Sequence, residues 1–312
     1  MNTGTSQFAP AAGKPGSTAL KYDSVCFVGW ATGCEVTRGL RDVSRPDSGY
    51  TDAGTPLSAT GKALQNGVVS LGDGGSATLT FASPLINGPG WDFAVFENSF
   101  LDTFLELAFV EVSSDGKLFV RFPAVSLTDT NQQTGAFGYT YPEKINNLAG
   151  KYRAGFGTPF ELEELKDSSG IDISNITHVR IRDVVGSLAP KFATHDSKGN
   201  KINDPWPTPF PSSGFDLDAV GIIHQKPSSR KDIRNNILSI NVWPNPINTE
   251  LFSVQSGEQG RLEMYSLSGI KIDQWKIQIG RNELKTPRHT GMYYLVFTNG
   301  SNTFSYNIEI IR

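Results

Sequence analysis

The sequence predicts an all-β chain: an antiparallel β-sandwich with long loops over 20–226, then a second, smaller β-sandwich over 238–312. Three observations predict it. Apolar residues recur with period two in short runs, and turn-forming clusters (GDGG at 72–75, INGPG at 86–90, SSDG at 113–116) separate those runs. Helical periodicity is confined to 144–148 and 161–166, both shorter than an ordinary helix. The chain is also too long, at 312 residues, for one small module.

The elements follow in order. Residues 1–19 are rich in Gly, Pro and Ser and read as a flexible segment. They contain no basic start followed by an apolar run, so the chain carries no signal peptide of its own. That fits a cytosolic protein, or an exported one whose leader has been removed; motifs at the C-terminus favour export. Strands are expected at 67–71, 77–82, 92–97, 105–112, 117–122, 177–184 and 217–224. Two segments, 126–175 and 186–215, break this rhythm and carry Phe137, Tyr139, Tyr141, Tyr152, Phe156, Phe160, Phe192, Trp206 and Phe210. Aromatic-rich loops of that length are candidates for a binding surface. Residues 227–237 carry Pro, Ser and several basic side chains and read as a linker.

Composition excludes several functions. Only 19% of residues are charged and the net charge is -3, which leaves no electrostatic footprint for a nucleic acid or an anionic membrane. No run of about 18 apolar residues is present to span a bilayer as a helix. No Walker-type loop, G-x-S-x-G or H-E-x-x-H occurs, and the four histidines are scattered. Catalytic residues are therefore not assigned. Cys26 and Cys34 are too few for a structural zinc site; their spacing suits a small disulfide or two buried thiols.

Carboxylates carry the most specific signal. In WDFAVFE, Phe93, Val95 and Glu97 share a strand face; in THVRIRD, Val179, Ile181 and Asp183 do; in DLDAVGI, Asp216, Asp218, Val220 and Ile222 do. Each acid would lie on an apolar face, which is costly unless it is paired or binds a metal. Glu97, Asp183, Asp216 and Asp218 are thus a candidate Ca²⁺ site. The alternatives are ion pairs to Arg121, Arg180 or Arg182, or an acid/base pair for glycoside hydrolysis. Trp91, Tyr141, Trp206 and Phe210 are the candidate ligand-binding aromatics. Trp206 and Phe210 stand among four prolines in a stiff loop leading to Asp216, a geometry suited to stacking on a sugar or to a hydrophobic lid.

Two resemblances add to this. The WPNP turn at 243–246, MYSLSG at 264–269, TGMYYLVF at 290–297 and a final amphipathic strand resemble the Ig-like type A sorting domain of the Bacteroidetes type IX secretion system. This chain ends in Arg where that family often ends in lysines. Here Pro244 and Pro246 fix the backbone around Asn245, and Gly269 and Gly291 sit where turns need positive φ. The resemblance implies an extracellular or outer-membrane location and the secretion machinery as a partner. NGPGWDFAVFENSF, ELAFVEVSSDGKLFVRFPA, INNLAGKYRAGFGTPFELEEL and SGFDLDAVG resemble jelly-roll-like surface proteins. That resemblance implies a binding protein for a small molecule, a glycan or a corrinoid. A glycan-active hydrolase and an adhesive surface protein are the alternatives.

Overall fold

The structure is a computed structural model and describes residues 8–227, 240–266, 270–299 and 302–311, with 302–305 by backbone alone. The chain divides into two compact units, Met1–Pro227 and Ser228–Arg312. The expected linker falls almost wholly outside the described residues, as does Gly269. Among the described residues the regular structure is all strand apart from short 3-10 turns; no helix is long and apolar enough to cross a membrane.

The first unit holds, in chain order, β1 (Leu20–Lys21), β2 (Gly29–Trp30), β3 (Gly33–Thr37), β4 (Val69–Ser70), β5 (Ser76–Leu85), β6 (Phe93–Glu97) and β7 (Ala108–Ser113). It continues with β8 (Val120–Arg121), β9 (Val125–Ser126), β10 (Ile145–Asn146), β11 (Phe156–Phe160), β12 (Ile176–Asp183) and β13 (Asp216–Ile222). One sheet runs β1-β11-β6-β13-β2, with β4 also on β13; the other runs β3-β5-β12-β7-β8; β9 and β10 pair separately. All the pairings are antiparallel. The long strands β5, β6 and β7, and again β11, β12 and β13, alternate between the sheets, as in jelly rolls.

The core follows from the alternation. Phe93, Val95, Phe160, Leu217 and Val220 of one sheet meet Leu79, Val110, Val112, Val179 and Ile181 of the other in one buried cluster. Both sheets are also covered on their outer faces. Ala94, Phe96 and Ala219 pack with Phe27 and Trp30 on one side. Leu107 and Phe109 pack with Ile145, Leu148, Val184 and Ile202 on the other. The long aromatic segments are therefore anchored by a satellite core of their own.

Several expectations are corrected. Segment 126–175 contains β11, an inner member of its sheet that FGTPF conceals through Pro159 and Gly157. β1 pairs only with Phe156 and Gly157, so the sheet is open beside Pro159 where a donor would otherwise be missed. Residues 8–19 are not a loose leader: Ala11 and Ala12 are buried, Phe8 N donates to Glu143 O, and Thr18 and Tyr152 share a hydroxyl hydrogen bond of 2.8 Å. Cys26 and Cys34 are free cysteines rather than a disulfide. Cys34 lies on β3 and packs against the main core, while Cys26 precedes β2 in the other sheet. Of the two helix-like stretches, 161–166 becomes the 3-10 turn Leu162–Leu165, while 144–148 holds only the end of the turn Pro142–Lys144 and then β10.

The second unit holds β14 (Asn241–Trp243), β15 (Leu251–Ser256), β16 (Gly260–Ser266), β17 (Lys271–Ile277), β18 (Gly280–Lys285), β19 (Gly291–Asn299) and β20 (Asn302–Ile310). They form sheets β14-β15-β18 and β17-β16-β19-β20, closed over Phe252, Val254, Leu262, Leu295, Phe297 and Ile308. The WPNP turn is pinned to the last strand through Asn245, whose side chain accepts from Glu309 N and donates to Asn307 O. Gly291 has φ 141°, as its turn position requires.

Candidate functional site

A pocket of about 220 Å³ opens where β6 and β13 meet the long loops. Its rim is phenylalanine. Phe100 and Phe104 stack at 4.9 Å, Phe104 and Phe137 at 6.2 Å, and Phe137 and Phe210 lie 6.0 Å apart, a chain of four rings from three loops. Phe100, Phe137 and Phe210 are exposed by 68%, 72% and 42%, so the rings form an apolar patch open to solvent. Its floor is acidic: Glu106 and Asp216 line it beside Asn98.

Each acid is placed by its strand. Glu97 ends β6 opposite Leu217 of β13 and is buried. Its Oε2 accepts from Ser99 N at 2.9 Å; its Oε1 has no partner. Asp216 begins β13, accepts from Asn98 at 3.2 Å and takes a short hydrogen bond from the Ser70 hydroxyl. Asp183 ends β12 and accepts from Phe215 N at 2.7 Å and Gly74 N at 2.8 Å. Gly214, with φ +70°, makes this approach feasible, since a Cβ there would stand 2.7 Å from Asp183 Oδ1. Asp204 accepts from Leu107 N at 3.0 Å through Oδ2, and its buried Oδ1 has no partner. Glu106 lies just before β7, and Gly150 (φ +80°) packs against its carbonyl.

These groups raise one another's pKa. Burial pushes Glu97 and Glu106 well above the carboxylate range, Asp216 adds to both, and Glu97 adds to Glu106. Burial lifts Asp204 likewise, with Asp183 and Asp73 adding to it. Burial, then Asp73, pushes Asp183 to about 8; burial pushes Asp216 to about 6 against hydrogen bonds from Ser70 and Asn98. Among the described residues no ion pair neutralises any of them. The nearby Arg38 lowers Asp216 but spends its guanidinium on the carbonyls of Ala53, Gly54 and Ser70.

The sequence-predicted residues divide accordingly. Asp216 adds to the burial of both Glu97 and Asp183, whereas Asp218 is raised by burial alone. A register shift between Leu217 and Ala219 puts Leu217 and Val220 into the same core, so simple alternation fails. Asp218 instead binds Leu64 N through both oxygens. Among the described residues no three His, Cys, Asp or Glu side chains are already gathered in a metal-holding group. Arg121 and Arg180 pair with Glu111, not with these acids. Phe210 lines the pocket. Trp206 does not line it and donates its indole N–H to Asp73 at 3.0 Å. Tyr141 lines a separate pocket of about 670 Å³ with Tyr139, Gln133 and Asn203. Trp91 precedes β6 at the end away from Glu97, roughly 20 Å off at strand rise. Glu106, Asp204, Phe100 and Phe104 were not legible: Glu106 alternates with Leu105 and Leu107 and reads as solvent-facing, and Asp204 reads as part of a proline loop.

No protein-family model matches the chain, and no curated protein does. Among solved structures the chain is similar to a biofilm-associated protein BSP domain, at 11% identity and TM-score 0.21, over 76% of this chain and 48% of that one. It is similar to Ruminococcus gnavus β-glucuronidase at 8% identity and TM-score 0.22, over 90% and 44%. It is also similar to Bacteroides uniformis β-glucuronidase 3 at 10% and 0.22, over 93% and 35%. The chain spans less than half the length of each of them. Likeness that slight carries no argument about activity; the all-β fold rests on the strands themselves.

Proposed function

We propose that the first unit is a binding module of a secreted or surface-attached protein, capturing a small molecule or glycan in the phenylalanine-rimmed pocket. The observation that carries this reading is the juxtaposition of four connected rings, three of them exposed, with carboxylates on the floor. Flat apolar faces stack on a ligand at low entropic cost, and a few polar groups then fix its orientation. Asn98, Glu106 and Asp216 are those groups. The neighbouring pocket of Tyr139, Tyr141, Gln133 and Asn203 would extend the surface for a longer glycan, since the 134–139 loop serves both pockets. Calorimetric titration of the chain against a panel of glycans and cobalamin tests the reading. One ligand should bind, and Phe137→Ala with Phe210→Ala should weaken it at least tenfold. Full affinity in that double variant would remove the pocket from the account.

A glycan hydrolase is the second reading, supported by Glu106 and Asp216 sharing one open pocket. Turnover of a polysaccharide that Asp216→Asn abolishes would favour it over simple capture. The second unit is, on this proposal, a type IX secretion address. Its support is the sequence resemblance together with a separate small sandwich whose WPNP turn is tied to the last strand. Fusing 228–312 to a reporter in a type IX-secreting bacterium should export it; retention inside the cell would reject the address.

A further inference from the structure

We infer that the carboxylates beneath the phenylalanine rim form a site for one divalent cation of the calcium class, with Glu97, Asp204, Glu106 and Asp216 as its protein ligands. Glu97 is 1% exposed and Asp204 4%, yet Glu97 Oε1 and Asp204 Oδ1 have no hydrogen-bond partner. A buried carboxylate oxygen left bare costs free energy that a chain otherwise avoids through a donor, a cation or a proton. Two such oxygens among neighbouring acids, with no Lys, Arg or His of the described residues paired to any of them, leave an excess of negative charge for something outside the chain to neutralise.

The donor set selects the class of ion. Every group is a carboxylate and none is sulfur or imidazole, which disfavours zinc and copper and suits a hard cation. The four acids are not already drawn around one point. Magnesium demands near-ideal octahedral geometry, whereas calcium accepts six to eight oxygens, waters and carbonyls among them, in flexible arrangements. Glu97 and Asp204 are each anchored by one backbone N–H. Glu106 accepts no hydrogen bond among the described residues and lines the pocket with Asp216, so it is free to move onto an ion arriving from the open side. Asp218, held by Leu64 N, is excluded from the set.

This site shares Glu106 and Asp216 with the proposed ligand pocket but uses none of its rings, so ring variants test the two readings apart. The full chain, stripped with EDTA, is titrated with Ca²⁺ by calorimetry and by thermal unfolding of the first unit. Binding of one ion is expected, with a rise in melting temperature of about 5 °C or more at saturation. Glu106→Gln and Glu97→Gln, near-isosteric changes checked for folding by circular dichroism, should each weaken Ca²⁺ at least tenfold. Asp218→Asn and Phe137→Ala should leave it unchanged. Absence of heat and shift in the native chain, or undiminished Ca²⁺ affinity in folded Glu97→Gln and Glu106→Gln, would overturn the inference. Loss of glycan binding in Phe137→Ala with Ca²⁺ retained would separate the two sites.

Discussion

Two buried glutamates in the same sandwich have opposite surroundings. Glu111, at the centre of β7, faces Arg121 of β8 and Arg180 of β12 directly across the ladder. Arg121 reaches its Oε1 at 2.7 and 2.9 Å, Arg180 its Oε2 at 2.5 Å. Both guanidinium groups also lie over phenyl rings, Phe109 and Phe119. Glu97, at the end of β6, has one backbone donor and more acids. The chain neutralises the first charge from its own residues, whereas among the described residues the second has no cationic partner. A buried acid with cross-strand arginines is part of the scaffold; on the inference above, one without them is where the scaffold takes up an ion.

The comparison breaks or holds on four measurements. The largest effect belongs to Glu111→Gln, which strands two arginines over apolar rings; it should cost about 2–3 kcal/mol in urea unfolding, less than a fully buried pair because the arginines are partly exposed. That cost should be the same with and without Ca²⁺. Next is pH. Burial holds Asp183 protonated up to about 8 and Asp218 up to about 6, whereas both ionise near their ordinary value once unfolded. The folded chain thus binds more protons in that window, and stability in metal-free buffer should fall steadily as pH rises from about 4 to about 8. Stability rising across that window would mean the acids are already paired.

Glu97→Gln should behave opposite to Glu111→Gln. Replacing an unpaired carboxyl whose ionisation burial opposes should raise metal-free stability at pH 8 by about 1 kcal/mol in the same urea assay. A loss instead would show that Glu97 holds the fold as Glu111 does. The smallest effect is expected at the rim: Phe137→Ala should change stability by no more than about 0.5 kcal/mol, since the ring is mostly exposed, while weakening pocket ligands. A large destabilisation would make the ring a lid of the core.

What was legible in the sequence follows the range of each interaction. Alternation in WDFAVFE places Glu97 at the end of an inward face, and THVRIRD does the same for Asp183, because Phe93 and Val95, and Val179 and Ile181, do face the core, and the irregularity of β12 lies at its start, between Ile176 and His178. The same count fails in DLDAVGI, where a bulge shifts the register and sends Asp218 to Leu64. Pairing of Glu111 with Arg121 and Arg180 joins strands whose register no local pattern encodes. Glu106 and Asp204 enter the site because β7, β12 and the 186–215 segment fold together across 98 residues of sequence, and Phe104 meets Phe137 for the same reason. Local periodicity reveals strands and faces; convergence of loops does not leave a local signature.

The most direct test is anomalous diffraction from crystals of the full chain soaked with a calcium-like lanthanide. One strong peak is expected within about 2.3–2.6 Å of Glu97 Oε1 and Asp204 Oδ1, with Glu106 turned toward it. No peak there, with Glu97 and Asp204 sharing a proton or bound to a solvent donor instead, would contradict it.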